Sequence, residues 1–166
     1  MGELSRIIKL DATDSTNQYL KDLLQTKNAV DSTVVVAKKQ LKGRGQMGAV
    51  WESENGKNLT FRVKWPNDIL SGSSKICGIL IENILKGQLV QHSIIGIGLN
   101  VNQTSFGDLG NAASLKMISG RTFDLDELLQ MILERIRIRF LNIQEKTVNQ
   151  LLPEYEQYLF RKDKPT

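Results

Sequence analysis

The sequence predicts an α+β fold with a mixed, largely antiparallel sheet packed by helices. Strand-like runs of β-branched and apolar residues, punctuated by turn residues, fill most of the chain as far as Val101. Sustained helical periodicity appears only after Asp124, and no βαβ alternation links the strands. A chain of 166 residues is long enough for one real core and short for two, so a single domain over 1–166 is expected.

In order, 6–10 reads as a short strand, and the polar cluster Asp11-Ala12-Thr13-Asp14-Ser15-Thr16-Asn17 reads as a loop whose Asp14 or Ser15 caps the next element. Tyr19, Leu20, Leu23 and Leu24 recur at helical spacing and predict a helix over 17–24. The Ser-Thr-Asn run therefore falls at a helix N-terminus, where unpaired amides and the positive dipole end suit an anionic or strongly polar group, or serve only as caps.

Thr33 to Ala37 predicts a buried strand that runs through Gln40 into the glycine loop Gly43-Arg44-Gly45-Gln46-Met47-Gly48. Asn55-Gly56 between two strand-like runs predicts a hairpin, because a type I′ turn needs positive φ at both central residues. Lys64-Trp65-Pro66-Asn67-Asp68 then precedes a long apolar strand, 76–85, which Lys86-Gly87 turns back into 89–101. Gly96 and Gly98 alternate in that second strand and predict a close approach by backbone or ligand. The stretch 107–120 reads as irregular. Asp124-x-x-Glu127 is a capping box opening a helix lined by Leu125, Leu128, Leu129, Ile132, Ile136, Phe140 and Ile143, and a second helix is expected over 148–160 with Pro153 near its start.

Composition narrows the function. One cysteine excludes an internal disulfide framework and points to a reducing compartment, one histidine leaves no Cys/His zinc cluster, and a cytoplasmic setting is the default expectation. Cys77 lies in an apolar run and reads as a small buried hydrophobe. No apolar run approaches the ~20 residues of a membrane span. Net charge is +4, yet Lys38, Lys39, Lys42, Arg44, Lys57, Arg62 and Lys64 face only Glu52 and Glu54 in that interval, an excess that suits an anionic ligand or a solvated basic edge. No basic helix or aromatic RNA-binding signature accompanies it, so specific nucleic-acid binding is not expected.

The glycine loop is neither a dinucleotide fingerprint, since no helix pattern follows it, nor a P-loop, since it lacks the Gly-Lys-Ser/Thr ending. It offers bare amides and Arg44, which can grip a carboxylate or phosphate by two parallel hydrogen bonds. The Lys64 to Asp68 motif is more specific: Pro66 stiffens the turn, Asn67 gives donors and an acceptor, and Asp68 can hold Mg²⁺ or take a proton.

With these residues in place the chain resembles the biotin protein ligases. The resemblance rests on Ser15-Thr16-Asn17, Gln40 through Gly48 with Trp51, Lys64 through Asp68, Lys75-Ile76-Cys77-Gly78-Ile79-Leu80-Ile81-Glu82, and Gly96 through Asn102. It implies a class II synthetase-like fold of the biotin/lipoate ligase type. It also implies activation of biotin with MgATP to biotinyl-5′-AMP and transfer of biotin to one lysine of a biotin carboxyl carrier protein domain of a carboxylase.

On this resemblance Ser15, Thr16, Asn17, Gln40 and Gly78 belong to the biotin pocket, and Arg44, Gly45 and Gln46 to the loop closing over biotin and the adenylate. Lys75 touches the biotin carboxylate and the α-phosphate, while Trp51, Lys64, Asn67 and Asn100 serve ATP. Lys75, Arg44 and Asp68 form the expected catalytic set, with Asp68 also the Mg²⁺ candidate. The resemblance admits a homodimer. A lipoate or octanoate transferring relative is the alternative within the fold, a basic-loop nucleic-acid module the alternative outside it, and an inactive remnant a further one.

Three departures stand out. Gln46 replaces an Arg usual in the family, with Met47 and Ala49 at further basic positions. Phe61 passes almost directly to Lys64, where relatives carry more strand and a core helix, and the expectation is that residues near 61–64 are omitted from the sequence as it stands. The family's C-terminal SH3-like domain has no counterpart within 1–166, and without an N-terminal helix-turn-helix no repressor function is expected.

Overall fold

The computed structural model describes residues 6–42, 61–144 and 147–161. The glycine loop and the Asn55-Gly56 hairpin lie outside them. The elements run β1 (Arg6–Thr13), α1 (Thr16–Gln25), β2 (Thr33–Gln40), β3 (Phe61–Lys64), β4 (Asp68–Ser71), β5 (Ser74–Lys86), β6 (Leu89–Leu99), α2 (Leu115–Ser119), α3 (Leu125–Gln144) and α4 (Val148–Gln157). Strands β1 and β2 pair in parallel, and β3-β4-β5-β6 form a second sheet in that order. The expected α+β class is what forms, with the parallel and antiparallel pairings in two sheets among the described residues and not in one mixed sheet.

The chain divides into two compact units, each discontinuous in sequence: 1–48 with 79–97, and 49–78 with 98–166. In the first unit β1 is longer than its apolar segment. Asp11 to Thr13, read as loop, continue the strand because Ala12 and Thr13 pair with Lys39 and Gln40 of β2. Ladder pairing supplies hydrogen bonds that outweigh the weak strand preference of a polar run. Ser15 caps α1 by accepting from the Gln18 amide at 3.4 Å. Tyr19, Leu20, Leu23 and Leu24 are half-buried, as their spacing requires, and so is β2 from Thr33 to Ala37, short of the full burial expected.

In the second unit β4 is almost wholly buried, and Gly72 at φ +60° lets the two-residue Gly72-Ser73 connection turn β4 into β5. Leu70, Ile76, Cys77, Ala113 and Leu133 are its buried apolar residues, each large one worth about 1.5–3 kcal/mol relative to exposure.

Residues 107–120, read as irregular, contain α2. Ser114, fully buried, caps it through Met117, and Gly120 at φ +72° ends it. Five residues are too few to show a period, so only this pair of boundary signals marks the helix. Asp124 caps α3 by accepting from the amides of Asp126 and Glu127, both at 2.9 Å. The buried stripe of α3 centres on Leu133, which the expected set omitted, while Leu125, Phe140 and Ile143 are exposed. Pro153 lies inside α4, not near its start, and α4 stops at Gln157. Residues 158–160 instead pair with the edge strand: the Val63 amide donates to Tyr158 O (2.7 Å) and the Phe160 amide to Val63 O (2.8 Å). An edge strand's unpaired groups thus find partners.

Candidate active site

The expected site residues fall into two groups, one in each unit, and Arg44, Gly45, Gln46 and Trp51 lie outside the described residues.

In the first unit, parallel pairing sets Thr13 beside Gln40, so the end of β2 lies next to the start of α1. The Gln40 side-chain carbonyl accepts from the Thr16 amide at 2.9 Å and the Thr16 hydroxyl at 3.3 Å. Thr16 and Gln40 are therefore brought together, and Ser15 works as the helix cap. One residue further, the Asn17 Nδ2 donates to Glu82 Oε2 of β5 at 2.8 Å, and Lys21 Nζ, one turn on, lies 2.6 Å from Glu82 Oε1. Gly96 of β6 sits directly under the Asn17 amide: a Cβ there would lie 2.5 Å from Asn17 Oδ1. The close approach expected from backbone or ligand is made at Gly96 by a side-chain amide instead, while at Gly98 a Cβ would make only an ordinary 3.9 Å contact with Gly78 O. Lys38 and Lys42 of the basic run pair with Asp11 (2.7 Å) and Asp14 (2.8 Å). Part of the excess that favoured an anionic ligand is thus neutralised on the spot, and Lys38 holds the exposed Asp11 carboxyl below its usual range by donating to it.

In the second unit the decisive feature is a register shift. Asp68 pairs with Gly78 and Ile69 with Cys77, but Leu70 then pairs with Lys75, leaving Ile76 as the extra residue of β5. Such a bulge reverses the alternation of side chains beyond it. Lys75, which strict alternation would place on the face opposite Gly78, joins the face of Asp68, Leu70 and Gly78. There its Nζ lies 2.6 Å from Asp68 Oδ1. That oxygen is buried and accepts no aligned hydrogen bond, so the contact is one of charge.

Gly78 makes the room: a Cβ on it would be 3.3 Å from Lys75 Cε and 3.4 Å from Nζ. The Lys75 backbone is clamped as well, its amide donating to Asn111 O (2.8 Å) and its carbonyl accepting from Ala113 (2.9 Å). Lys64 pairs with Asp68 across the β3–β4 hairpin, so register puts it on the same face, with Trp65, Pro66 and half-buried Asn67 forming the connection and Trp65-Pro66 in the cis form. Lys75 therefore meets Asp68 directly, and Lys64 stands opposite Asp68 across the hairpin. Asn100 is tied into this unit by its amide N–H to Ile76 O (2.8 Å) and by its side chain donating to Ala113 O (3.1 Å).

Cys77 adjoins this group. Burial pushes its thiol up to about 11, with Lys75 pulling it down and Asp68 adding to the rise, so it is a neutral, buried side chain and not a nucleophile. The Mg²⁺ expected at Asp68 meets a carboxylate already facing an ammonium. Among the described residues no group of three or more His, Cys, Asp or Glu could hold a metal ion. These residues alone do not make a Mg²⁺ cage.

Glu82, Lys21 and Gly96 were missing from the expected site. Glu82 and Gly96 stood within stretches that carried the resemblance, and Lys21 lies four residues after Asn17, which puts both on one helix face.

One unit thus presents helix-terminal amides backed by a carboxylate, and the other a lysine set against a buried carboxylate. The chain belongs to the biotin/lipoate A/B protein ligase family, whose family model matches residues 10–62 and 54–100.

Among its relatives is the bifunctional ligase/repressor BirA of Bacillus spizizenii, 33% identical over 173 residues, covering 80% of this chain and 52% of that protein. The chain thus spans about half the length of this curated relative. Its share of the alignment is about 133 residues, so about forty alignment positions have no counterpart here. Solved structures of biotin protein ligase from Aquifex aeolicus share the fold. A point mutant of that enzyme in complex with biotin has a TM-score of 0.78 at 26% identity, covering 98% of this chain and 81% of that one. The complex with biotin and ATP has 0.74 at 27%, covering 94% and 79%.

Proposed function

We propose that the chain is a biotin protein ligase, which activates biotin with ATP to biotinyl-5′-adenylate and passes biotin to a lysine of a carboxylase's carrier domain. The observation that carries this reading is the Lys75 ammonium held at 2.6 Å from Asp68, with Lys64 on the same face, in a member of this family.

Biotin's carboxyl, with an ordinary pKa near 4, is already ionised at pH 7, so the first step needs no base. A carboxylate oxygen attacks the α-phosphorus; the new O–P bond forms as the bond to pyrophosphate breaks. The barrier is the repulsion of two anions and the charge gathering at phosphorus. Lys75, fixed on both sides of its backbone, is the preorganised cation for that point, and Arg44 adds a second from the glycine loop. Lys64 and Asn67 serve the nucleotide phosphates; Trp51 and Asn100 serve its remaining groups. Mg²⁺ arriving with ATP would supply charge neutralisation at the phosphates, with Asp68 the one carboxylate of this group that could face it.

In the second step the carrier amine attacks the acyl carbon, an amide forms, and AMP leaves with its bonding pair. That amine must first lose a proton from a pKa of about 10.4, and Asp68 is the carboxylate beside Lys75 to take it. Ser15, Thr16, Asn17 and Gln40 are assigned to biotin's head group, and Gly78, beside Lys75, and the glycine-loop residues Gly45 and Gln46 are assigned to biotin on the resemblance alone.

The test is biotin-dependent exchange of pyrophosphate into ATP, measured on this chain and on a version carrying a relative's residues between 54 and 62, where the two family matches overlap. Exchange that needs biotin is expected, with the longer version at least as active. Exchange that needs lipoate instead, or salt-sensitive binding to arbitrary RNA with no exchange in either version, would overturn the proposal.

A further inference from the structure

We infer that Glu82 is a positioning residue for biotin recognition, acting through Asn17; the inference rests on the proposed function. A carboxylate only accepts hydrogen bonds, so the Asn17 amide must turn its NH₂ toward Glu82 Oε2, the 2.8 Å contact. With Nδ2 fixed, Oδ1 is directed along the Gly96 backbone, where the missing Cβ leaves room for it. The amide is thereby set to present an acceptor, and the group it suits is a ligand N–H, such as those of biotin's cyclic urea. An amide free to flip would offer donor and acceptor alternately and read neither.

Lys21 completes the device. Its ammonium, 2.6 Å from Glu82 Oε1, neutralises the carboxylate, so orienting Asn17 does not place a net negative charge near a site for an anionic acid. Asn17 and Lys21 lie four apart on α1 and reach the same β5 residue, one taking each carboxylate oxygen. The ion pair is about one-third exposed on each side, so it adds little to stability. The arrangement is better explained by orientation than by folding.

The experiment is calorimetric titration of the full chain with biotin and, separately, with ATP, for the wild type, Glu82→Ala, Glu82→Gln, Asn17→Ala and the double variant Asn17→Ala/Glu82→Ala. Glu82→Ala is expected to weaken biotin roughly tenfold to a hundredfold, the range for losing a hydrogen bond to a charged group, with ATP affinity within about twofold. Glu82→Gln, whose side-chain carbonyl can still accept from Asn17, should recover much of the loss. In the Asn17→Ala background Glu82→Ala should cost less than about threefold, because the group it orients is gone.

Unchanged biotin affinity in Glu82→Ala, a full additional loss in the double variant, or equal losses for biotin and ATP would each overturn the inference. A wild type that binds ATP but no biotin would overturn the proposed function together with it. A wild type that binds biotin while Glu82→Ala behaves normally would overturn the inference alone.

Discussion

Removing Lys75 should produce two effects that a second substitution pulls apart. In the folded chain the Lys75 and Asp68 side chains are 28% and 12% exposed, so the pair lies between a surface ion pair, worth about 0–1 kcal/mol, and a buried one whose rupture costs about 3–5 kcal/mol. Lys75→Ala leaves the Asp68 charge stranded in a site that excludes most water, and a loss of about 2 kcal/mol is expected. For a chain of this size that lowers Tm by about 4–8 °C. Adenylate formation should fall by roughly 10²–10³, the range for removing one preorganised charge stabiliser.

Asp68→Asn in the Lys75→Ala background removes the stranded charge and should return most of the lost stability. It cannot restore a cation at the α-phosphate, so adenylation should stay at least about a hundredfold down. Thermal unfolding gives the first quantity, and single-turnover formation of the adenylate from labelled ATP, at saturating biotin, gives the second. A double variant that regains wild-type adenylation along with its stability would show Lys75 to be a structural partner of Asp68 and nothing more.

Gly78→Ala brings a methyl to 3.3 Å from Lys75 Cε, close enough to shift a flexible ammonium by a few tenths of an ångström. Adenylation should drop by about tenfold with little change in Tm, and an unaltered rate would remove Gly78 from the site. Gly96→Ala meets Asn17 Oδ1 at 2.5 Å and must displace it, so biotin affinity should fall by at least about tenfold while ATP affinity holds, as titration would reveal. In Asp68→Asn the pH profile of transfer to the carrier lysine should change shape; an unaltered profile excludes Asp68 as the proton's partner.

Cys77 carries a folded-state pKa raised to about 11 from an ordinary 9.0. The unfolded chain therefore releases this proton first as pH rises, and stability falls between about pH 9 and 11 by up to about 1.4 kcal/mol per unit. Cys77→Ala should flatten that slope relative to wild type in urea titrations. Identical slopes would contradict the burial of the thiol.

Much of this was open to reading in the chain itself. Ser15 as a cap, the strands of 33–40 and 74–99, the helix opened by Asp124 and the Lys64 to Asp68 motif are all local in origin: side-chain shape, turn chemistry and period fix them within a few residues. Polar Asp11 to Thr13 became strand only because β2 lies alongside, and α2 was too short to show a period.

The site itself depends on what local sequence does not contain. Lys75 shares a face with Asp68 only because β4 and β5 slip by one residue at Ile76, and the register of a strand pair is a property of both strands at once. Glu82 meets Asn17 across 65 residues of chain, a contact that no spacing announces. Residue types and their order decided which chemistry was available. Strand pairing decided which of those groups stand together, because a side chain's direction reverses with each step in register.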